Sequence, residues 1–364
     1  MRMTGIFIGS TTPRAGKSLL TFSLGVLLQR AGNKVGYMKP LGRVLQKVDE
    51  LPGDADALVV QEILGQKVQA DVLTPVMLPG NLHALSLYSD NAPETNSLDT
   101  IAGAYETIAQ GKDLMLVCGT GTFPATGHFC GADGMSITRR LGLKTLFIER
   151  FDGRINYDAL LHMKRILKSD MLGVILNDVP DSELRDVQKL LVPYLSSKGI
   201  RVHGIIPREP SLTAIRVADL AHSLSGCIMA GNNSSAAMID GFLIGTMQVD
   251  NFMVYLRQNA GKAVIVGGDR ADLQFAALQM KSPCIILTSN IPPTELVRNK
   301  AEEMNIPLIT VREDAYTVAR IMAHIFRTKR LRDLNQIRLG ISLVEKSISL
   351  KSLTRCCMKS RSKN

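Results

Sequence analysis

The 364-residue sequence has no tryptophan, and aromatic residues make up only 5% of it. Its cores must be filled by Leu, Ile, Val, Met and Ala. No apolar run approaches the roughly 18 residues that a membrane-spanning helix needs. The chain start lacks a signal-peptide layout, because the apolar block at 5–8 is short and a loop follows at once. A cytoplasmic location is expected. The six cysteines (Cys118, Cys130, Cys227, Cys284, Cys356 and Cys357) contain no CxxC pair. In a chain of this length they do not form a disulfide framework, and free thiols are expected.

Charge is unevenly spread. The formal net charge is +10, but residues 327–364 carry eleven Lys/Arg and two acids, a net +9. The remaining +1 leaves the body nearly neutral. A domain-wide basic groove, the footprint of specific nucleic-acid binding, is therefore not expected. A length of 364 residues at about 150 per domain suggests two domains.

From 1 to 208, short apolar runs alternate with amphipathic segments. Strands are expected at 5–9, 34–38, 113–117, 145–149, 172–176 and 202–206. Helices are expected at 17–30, 56–64, 98–110, 157–168 and 182–196. This alternation implies an α/β fold, a parallel sheet with helices on both faces. The stretch 66–96 reads as a long irregular loop. After the Pro207–Pro210 punctuation a second, smaller α/β series begins, over 209–330. It has strands at 262–266, 284–288 and 307–310 and helices at 272–280 and 294–304. In the basic tail, 331–364, Leu331, Leu334, Ile337, Ile341, Val344 and Ile348 recur at helical spacing. That stripe either packs on the body or another subunit, or lies on a membrane surface; packing is the simpler reading.

The strongest motif is Ser10-Thr11-Thr12-Pro13-Arg14-Ala15-Gly16-Lys17-Ser18, between an expected strand and an expected helix. It fits the phosphate-loop pattern G-x-x-x-x-G-K-[ST], with Thr11 in place of the first glycine. Backbone N–H groups of Thr11, Thr12, Arg14, Ala15 and Gly16 and the helix N-terminus supply positive potential. Lys17 is expected on the β/γ-phosphates of ATP, and Ser18 on Mg²⁺.

Ser10–Ser18 is similar to the phosphate loop of dethiobiotin synthetase. Tyr37-Met38-Lys39-Pro40 resembles that family's substrate loop, which assigns Lys39 to the reaction. Ala55-Asp56-Ala57-Leu58 resembles its Mg²⁺ segment, and Leu176-Asn177-Asp178-Val179 its adenine-reading loop. Gly204-Ile205-Ile206-Pro207 resembles its nucleotide-facing turn. Further on, Gly267-Gly268-Asp269-Arg270 and Thr288-Ser289-Asn290 resemble the DRTGG domain, with Thr-Ser-Asn for Thr-Gly-Gly. The order of the two domains resembles the N-terminal regulatory half of long bacterial phosphotransacetylases. The resemblance implies a second ligand site at Asp269, Arg270 and Thr288. The transacetylase catalytic domain is missing, so that activity is not expected.

Some residues retain two readings. Lys39 is solvated or functional; Asp54 and Asp56 are metal-facing or helix-starting; Asn177 reads a base or makes a turn. Asp269 and Arg270 bind ligand, or cap a helix and carry surface charge. Where dethiobiotin synthetase has a metal-holding Glu, this sequence has Cys118, a soft and mostly neutral donor ill-suited to Mg²⁺. Weak or absent hydrolysis is expected. His128, Cys118 and Cys130 have the spacing of no standard metal site.

The expected function is that of an ATP-binding regulator or sensor, with a small-molecule effector at the second domain and a homo-oligomeric assembly. The alternative is an ATP-dependent ligase acting on an acidic small molecule. A ParA-type partitioning ATPase would need a lysine at Thr12 and is disfavoured.

Overall fold

A computed structural model describes residues 4–43, 45–48, 51–78, 97–153, 157–259, 261–328, 333–350 and 353. Most of the expected loop 66–96, the tail beyond 353, Leu331, Cys356 and Cys357 lie outside them. The chain divides into two compact units, Met1–Arg208 with Arg332–Asn364, and Glu209–Leu331.

The first unit is built on strands β1 (Thr4–Gly9), β2 (Val35–Met38), β3 (Leu114–Cys118), β4 (Lys144–Arg150), β5 (Met171–Val179) and β6 (Val202–Pro207). They form one sheet in the order β6-β5-β4-β1-β3-β2, and every pairing is parallel. Near-continuous apolar runs suit this sheet because both faces are covered. Alternate residues serve opposite faces. Phe7, Met115, Val117, Phe147 and Val174 join one core with Ile101 and Ile108 of α3 (Ser97–Ala109), Ile137 of α4 (Gly134–Leu141) and Leu160 and Met163 of α5 (Asp158–Leu167). Helix α1 (Lys17–Arg30) packs on β1, β2 and β3, and α2 (Ala55–Ile63) lies against it. The helix expected at 182–196 is interrupted by a π turn at Val187–Leu191.

Helix α1 is apolar nearly all round, burying Leu19, Leu20, Phe22, Leu24, Leu27 and Leu28. Such a helix needs cover on its outer side as well. The C-terminal helix, Leu334–Ser347, provides it by packing along α1 with Ile337, Ile341 and Val344 buried. Ile348 follows, bridging to Gly204 of β6. Of the stripe residues, Leu334 is exposed.

The second unit has β7 (Cys227–Ala230), β8 (Phe242–Ile244), β9 (Ala263–Gly267), β10 (Ile285–Thr288) and β11 (Leu308–Thr310), in the order β7-β11-β10-β9-β8. Strands β8 to β11 are parallel and β7 is antiparallel. Period-2 alternation again builds two cores. Val264, Val266, Ile285 and Leu287 meet helices α7 (Val249–Gln258), α8 (Ala271–Gln279) and α9 (Glu295–Glu303). Ala263, Ile265 and Ile286 meet α6 (Val217–Ser223) and α10 (Ala315–Thr328). The C-terminal helix completes the series as α11 (Leu334–Ser347). No helix among the described residues is long and apolar enough to cross a membrane.

Truncating the α11 face tests its contribution. Ile341→Ala is expected to destabilise the first unit by about 2–4 kcal/mol, the usual cost of a buried Ile→Ala cavity. Urea unfolding of the variant reads this directly, and an unchanged midpoint would show that α11 contributes little.

Candidate functional site

In an open α/β sheet, ligands bind at the carboxyl ends of the strands, where the strand order reverses. Here that point lies beside β1, flanked by β3 on one side and β4 on the other. The loop 10–16 leaves β1 there and enters α1 at Gly16, which sits at φ 107°. This left-handed backbone favours glycine. A Cβ at Gly16 would also meet Asn177 Nδ2 at 2.3 Å. The Asn177 amide donates to the Ala15 carbonyl at 2.8 Å, tying the end of β5 to the loop. Asn177 is thus placed against the phosphate loop, whereas Pro207 ends β6, two strands farther out from β4.

Lys17 is drawn inward. Its ammonium donates to Ser10 Oγ at 2.7 Å and to the Gly121 carbonyl at 2.5 Å. Burial pushes its pKa down to about 8. Phe123 holds the Gly121 segment beneath the loop: its N–H donates to Ser10 O at 2.7 Å, and its ring sits edge-on to Phe7 and Phe147. Ser10, Lys17, Leu41, Cys118, Gly121 and Phe123 are among the residues lining a narrow cleft of about 10 Å³. Thr12 and Arg14 are exposed, Ser18 is half-buried, and Arg14 also takes a left-handed φ of 57°.

A second buried group lies at the ends of β2 and β3. Lys39 donates to Asp54 at 2.7 Å and lies 3.6 Å from Asp56. Asp54 also caps α2 through the N–H groups of Asp56 and Ala57 and accepts the Arg43 N–H. Burial opposes the Lys39 charge, but the two carboxylates outweigh it and raise its pKa. Asp54 is held low despite burial, with Lys39 the main cause. Cys118 is buried beside this group, and desolvation raises its pKa. A neutral thiol therefore stands at the strand end. Tyr37 is wholly buried, and its hydroxyl has no hydrogen-bond partner among the described residues.

The sequence reading missed Glu149. It is the penultimate residue of β4, is 3% exposed, and accepts the Thr11 N–H at 2.6 Å and the Thr12 hydroxyl at 3.3 Å. Burial pushes its pKa up to about 7, against the pull of those donors and of Lys17. Its sequence signal was slight: a single acid closing the apolar run Thr145–Ile148.

The residues fit a nucleotide's phosphates: the loop has its left-handed glycine, its helix N-terminus and its lysine. Among the described residues no cluster of three or more His, Cys, Asp or Glu is arranged to hold a metal. Mg²⁺ held here would rest on the oxygens of Ser18, Asp56 and the phosphates. His128 is exposed and pairs with Asp133 at 3.5 Å. Cys118, Cys130, Cys227 and Cys284 are free thiols.

In the second unit, the signature residues are mostly occupied by structure. Arg270 pairs with Asp272 at 2.8 Å beside exposed Asp269. Thr288 is buried at the end of β10. Ser289 and Asn290 both take left-handed φ (64° and 53°), and their N–H groups donate to Glu313 O and Val311 O. A Cβ at Gly268 would meet Ile291 O at 2.3 Å, so the two loops are in close contact.

Glu149 gives a pH-dependent expectation. A carboxyl raised from 4.5 to about 7 on folding contributes stability that is present below the unfolded pKa and lost as pH climbs through 7. Glu149→Gln lacks that loss. At pH 8 it is expected to be more stable than the parent by about 3–4 kcal/mol, at roughly 1.4 kcal/mol for each pH unit between the two values, with the gap closing near pH 4.5. Denaturant unfolding across pH 4.5–8 checks this, and parallel curves would refute it.

Residues 4–216 match the AAA domain family and residues 219–325 the DRTGG domain. Phosphate acetyltransferase of Nitratidesulfovibrio vulgaris is 19% identical over 371 residues, covering 96% of this chain and 51% of that protein. The Pseudomonas putida phosphate acetyltransferase is 24% identical, over 87% of this chain and 46% of that protein. ATP-dependent dethiobiotin synthetase BioD of Methanocaldococcus jannaschii is 28% identical, over 55% of this chain and 92% of that protein. Among solved structures, the MinD cell division protein of Aquifex aeolicus is similar at 17% identity with a TM-score of 0.35, over 57% of this chain and 84% of that one. The chain spans about half the length of the acetyltransferases it matches. It belongs to the AAA domain family of P-loop proteins, and carries after that domain a DRTGG domain, as in the N-terminal region of phosphate acetyltransferases.

Proposed function

We propose that this protein is a cytoplasmic, homo-oligomeric regulatory protein that binds Mg²⁺ and ATP at the phosphate loop and turns the nucleotide over slowly or not at all. The observation that carries the reading is Lys17, pre-placed behind a left-handed Gly16 by the Ser10 hydroxyl and the Gly121 carbonyl. Neither partner carries a full negative charge. An incoming phosphate therefore offers this desolvated ammonium its best counter-charge. Ser18 and Asp56 would supply oxygens to Mg²⁺, and Asn177 and Pro207 would face the base. The DRTGG unit, through Asp269, Arg270 and Thr288, would take a small effector.

Slow turnover follows from the neutral Cys118 thiol at the strand end where the resembled family has a carboxylate. The ligase alternative asks Lys39 to hold an acidic substrate. That ammonium is already sealed against Asp54, whose side chain is fully buried. A buried pair of this kind is costly to open, which favours binding over ligation.

Two measurements test the proposal. Calorimetric titration with Mg·ATP should give micromolar affinity, and Lys17→Ala should weaken it at least tenfold, about 1.4 kcal/mol. Equal affinity in the two proteins would remove the phosphate-loop assignment. Separately, Cys118→Glu should raise steady-state phosphate release about tenfold over the parent, and Cys118→Ser should leave it unchanged. A parent already turning over at about 1 s⁻¹ or faster, or a Glu variant no quicker, would overturn the account of Cys118.

A further inference from the structure

Glu149 places a carboxylate on the phosphate loop itself. Its two oxygens take the Thr11 N–H and the Thr12 hydroxyl, two donors at the start of a loop whose donors serve an anion. The side chain is almost fully buried, so water screens it poorly. It does not bond Lys17, which is held by Ser10 and Gly121. A polyphosphate entering beside an ionised Glu149 therefore meets a like charge at close range in a poorly screened site.

We propose that Glu149 makes nucleotide binding proton-coupled: the phosphates are accepted as the carboxylate takes up one proton from solvent and becomes neutral. The inference rests on the nucleotide-binding reading above. The balance is one proton per site, with no bond made or broken beyond the O–H. Once protonated, Glu149 loses its charge and gains a hydrogen-bond donor, so it changes from a competing anion to a compatible neighbour.

The surrounding charges set the pH window. Lys17 of α1 faces Glu149 and favours its ionised form. Cys118 at the end of β3, Lys39 and Arg43 act on Lys17. Beyond β4, Tyr157 faces Glu149 and also feels Asp152. The Tyr157 phenol, pushed up to about 12 by burial, stays neutral near pH 7. In the free protein the carboxyl titrates near 7. A bound polyanion pushes it higher, because a nearby negative charge disfavours ionisation. Affinity should be flat below the free value, fall between the free and bound values, and level off above.

The experiment is calorimetric titration of the full chain with Mg·ATP at pH 6, 7, 8 and 9. Each titration is repeated in two buffers of different ionisation enthalpy. The parent protein should take up close to one proton per nucleotide at pH 8 and lose about tenfold in affinity per pH unit above 7 while the slope lasts. Glu149→Gln should take up markedly fewer protons and bind several-fold more tightly than the parent at pH 8. Titration of the nucleotide's own phosphates is common to both proteins and cancels in the comparison. Lys17, with its pKa about 8, also takes up protons at pH 8 but is already mostly charged at pH 7. An uptake of about half a proton by the parent at pH 7 therefore belongs to Glu149, and a poorly folding Glu149→Gln leaves the test intact. Binding by the parent without proton uptake at pH 8, or identical pH profiles in both proteins, overturns the coupling and leaves the nucleotide reading standing. Absence of binding by both proteins at every pH overturns the nucleotide reading and the coupling with it.

Discussion

A lysine kept out of water behind a turn that closes on a left-handed glycine is the interaction on which the first unit depends. Desolvation makes the Lys17 ammonium unfavourable, and the Ser10 hydroxyl and Gly121 carbonyl compensate only in part. The loop geometry follows from keeping that arrangement in place. Gly16 adopts a backbone few side chains tolerate, Asn177 ties the Ala15 carbonyl to β5, and Phe123 supports the Gly121 segment from below. A site built this way is short of negative charge at its centre and has it close by, in Glu149.

Lys39 meets the opposite environment. Both lysines are buried at the carboxyl edge of the sheet, Lys17 at the start of α1 and Lys39 just after β2. Lys39 has a carboxylate at 2.7 Å and its pKa rises; Lys17 has neutral oxygens and its pKa falls. The first is a satisfied pair that also caps α2 through Asp54. The second is a buried ammonium hydrogen-bonded to neutral oxygens only, which is what the proposed anion binding rests on. That difference is what favours the proposed binding function over ligation, since both lysines sit in motifs that resemble those of dethiobiotin synthetase.

In the second unit the signature loops are held by backbone constraints. The Ser289-Asn290 turn needs two consecutive left-handed residues, which explains why glycines suit the positions in the DRTGG signature and why a short polar side chain such as Asn is tolerated. Gly268 is needed for the close approach of Ile291. The signature thus describes two loops in contact, with Asp269 and Arg270 on the exposed rim.

The sequence determined the alternating α/β plan, because parallel strands covered on both faces must read as apolar runs between amphipathic helices. It also determined the phosphate loop, because glycine and lysine at fixed spacing between a strand and a helix leave few other structures open. The apolar circumference of α1 and the tail stripe of Ile337, Ile341 and Val344 were both visible, but their mutual burial is a contact more than 300 residues apart in the chain. Only the tertiary structure decided that pairing. It likewise decided the state of the charged residues. Lys39, Asp54 and Asp56 could be named from motifs, yet whether Lys39 was free or sealed depended on the fold of 43–56 around it. Glu149 was an unremarked acid at a strand end until β4 was placed beside β1. A charge acquires its partner, its burial and its pKa from neighbours distant in sequence, and no local pattern encodes them.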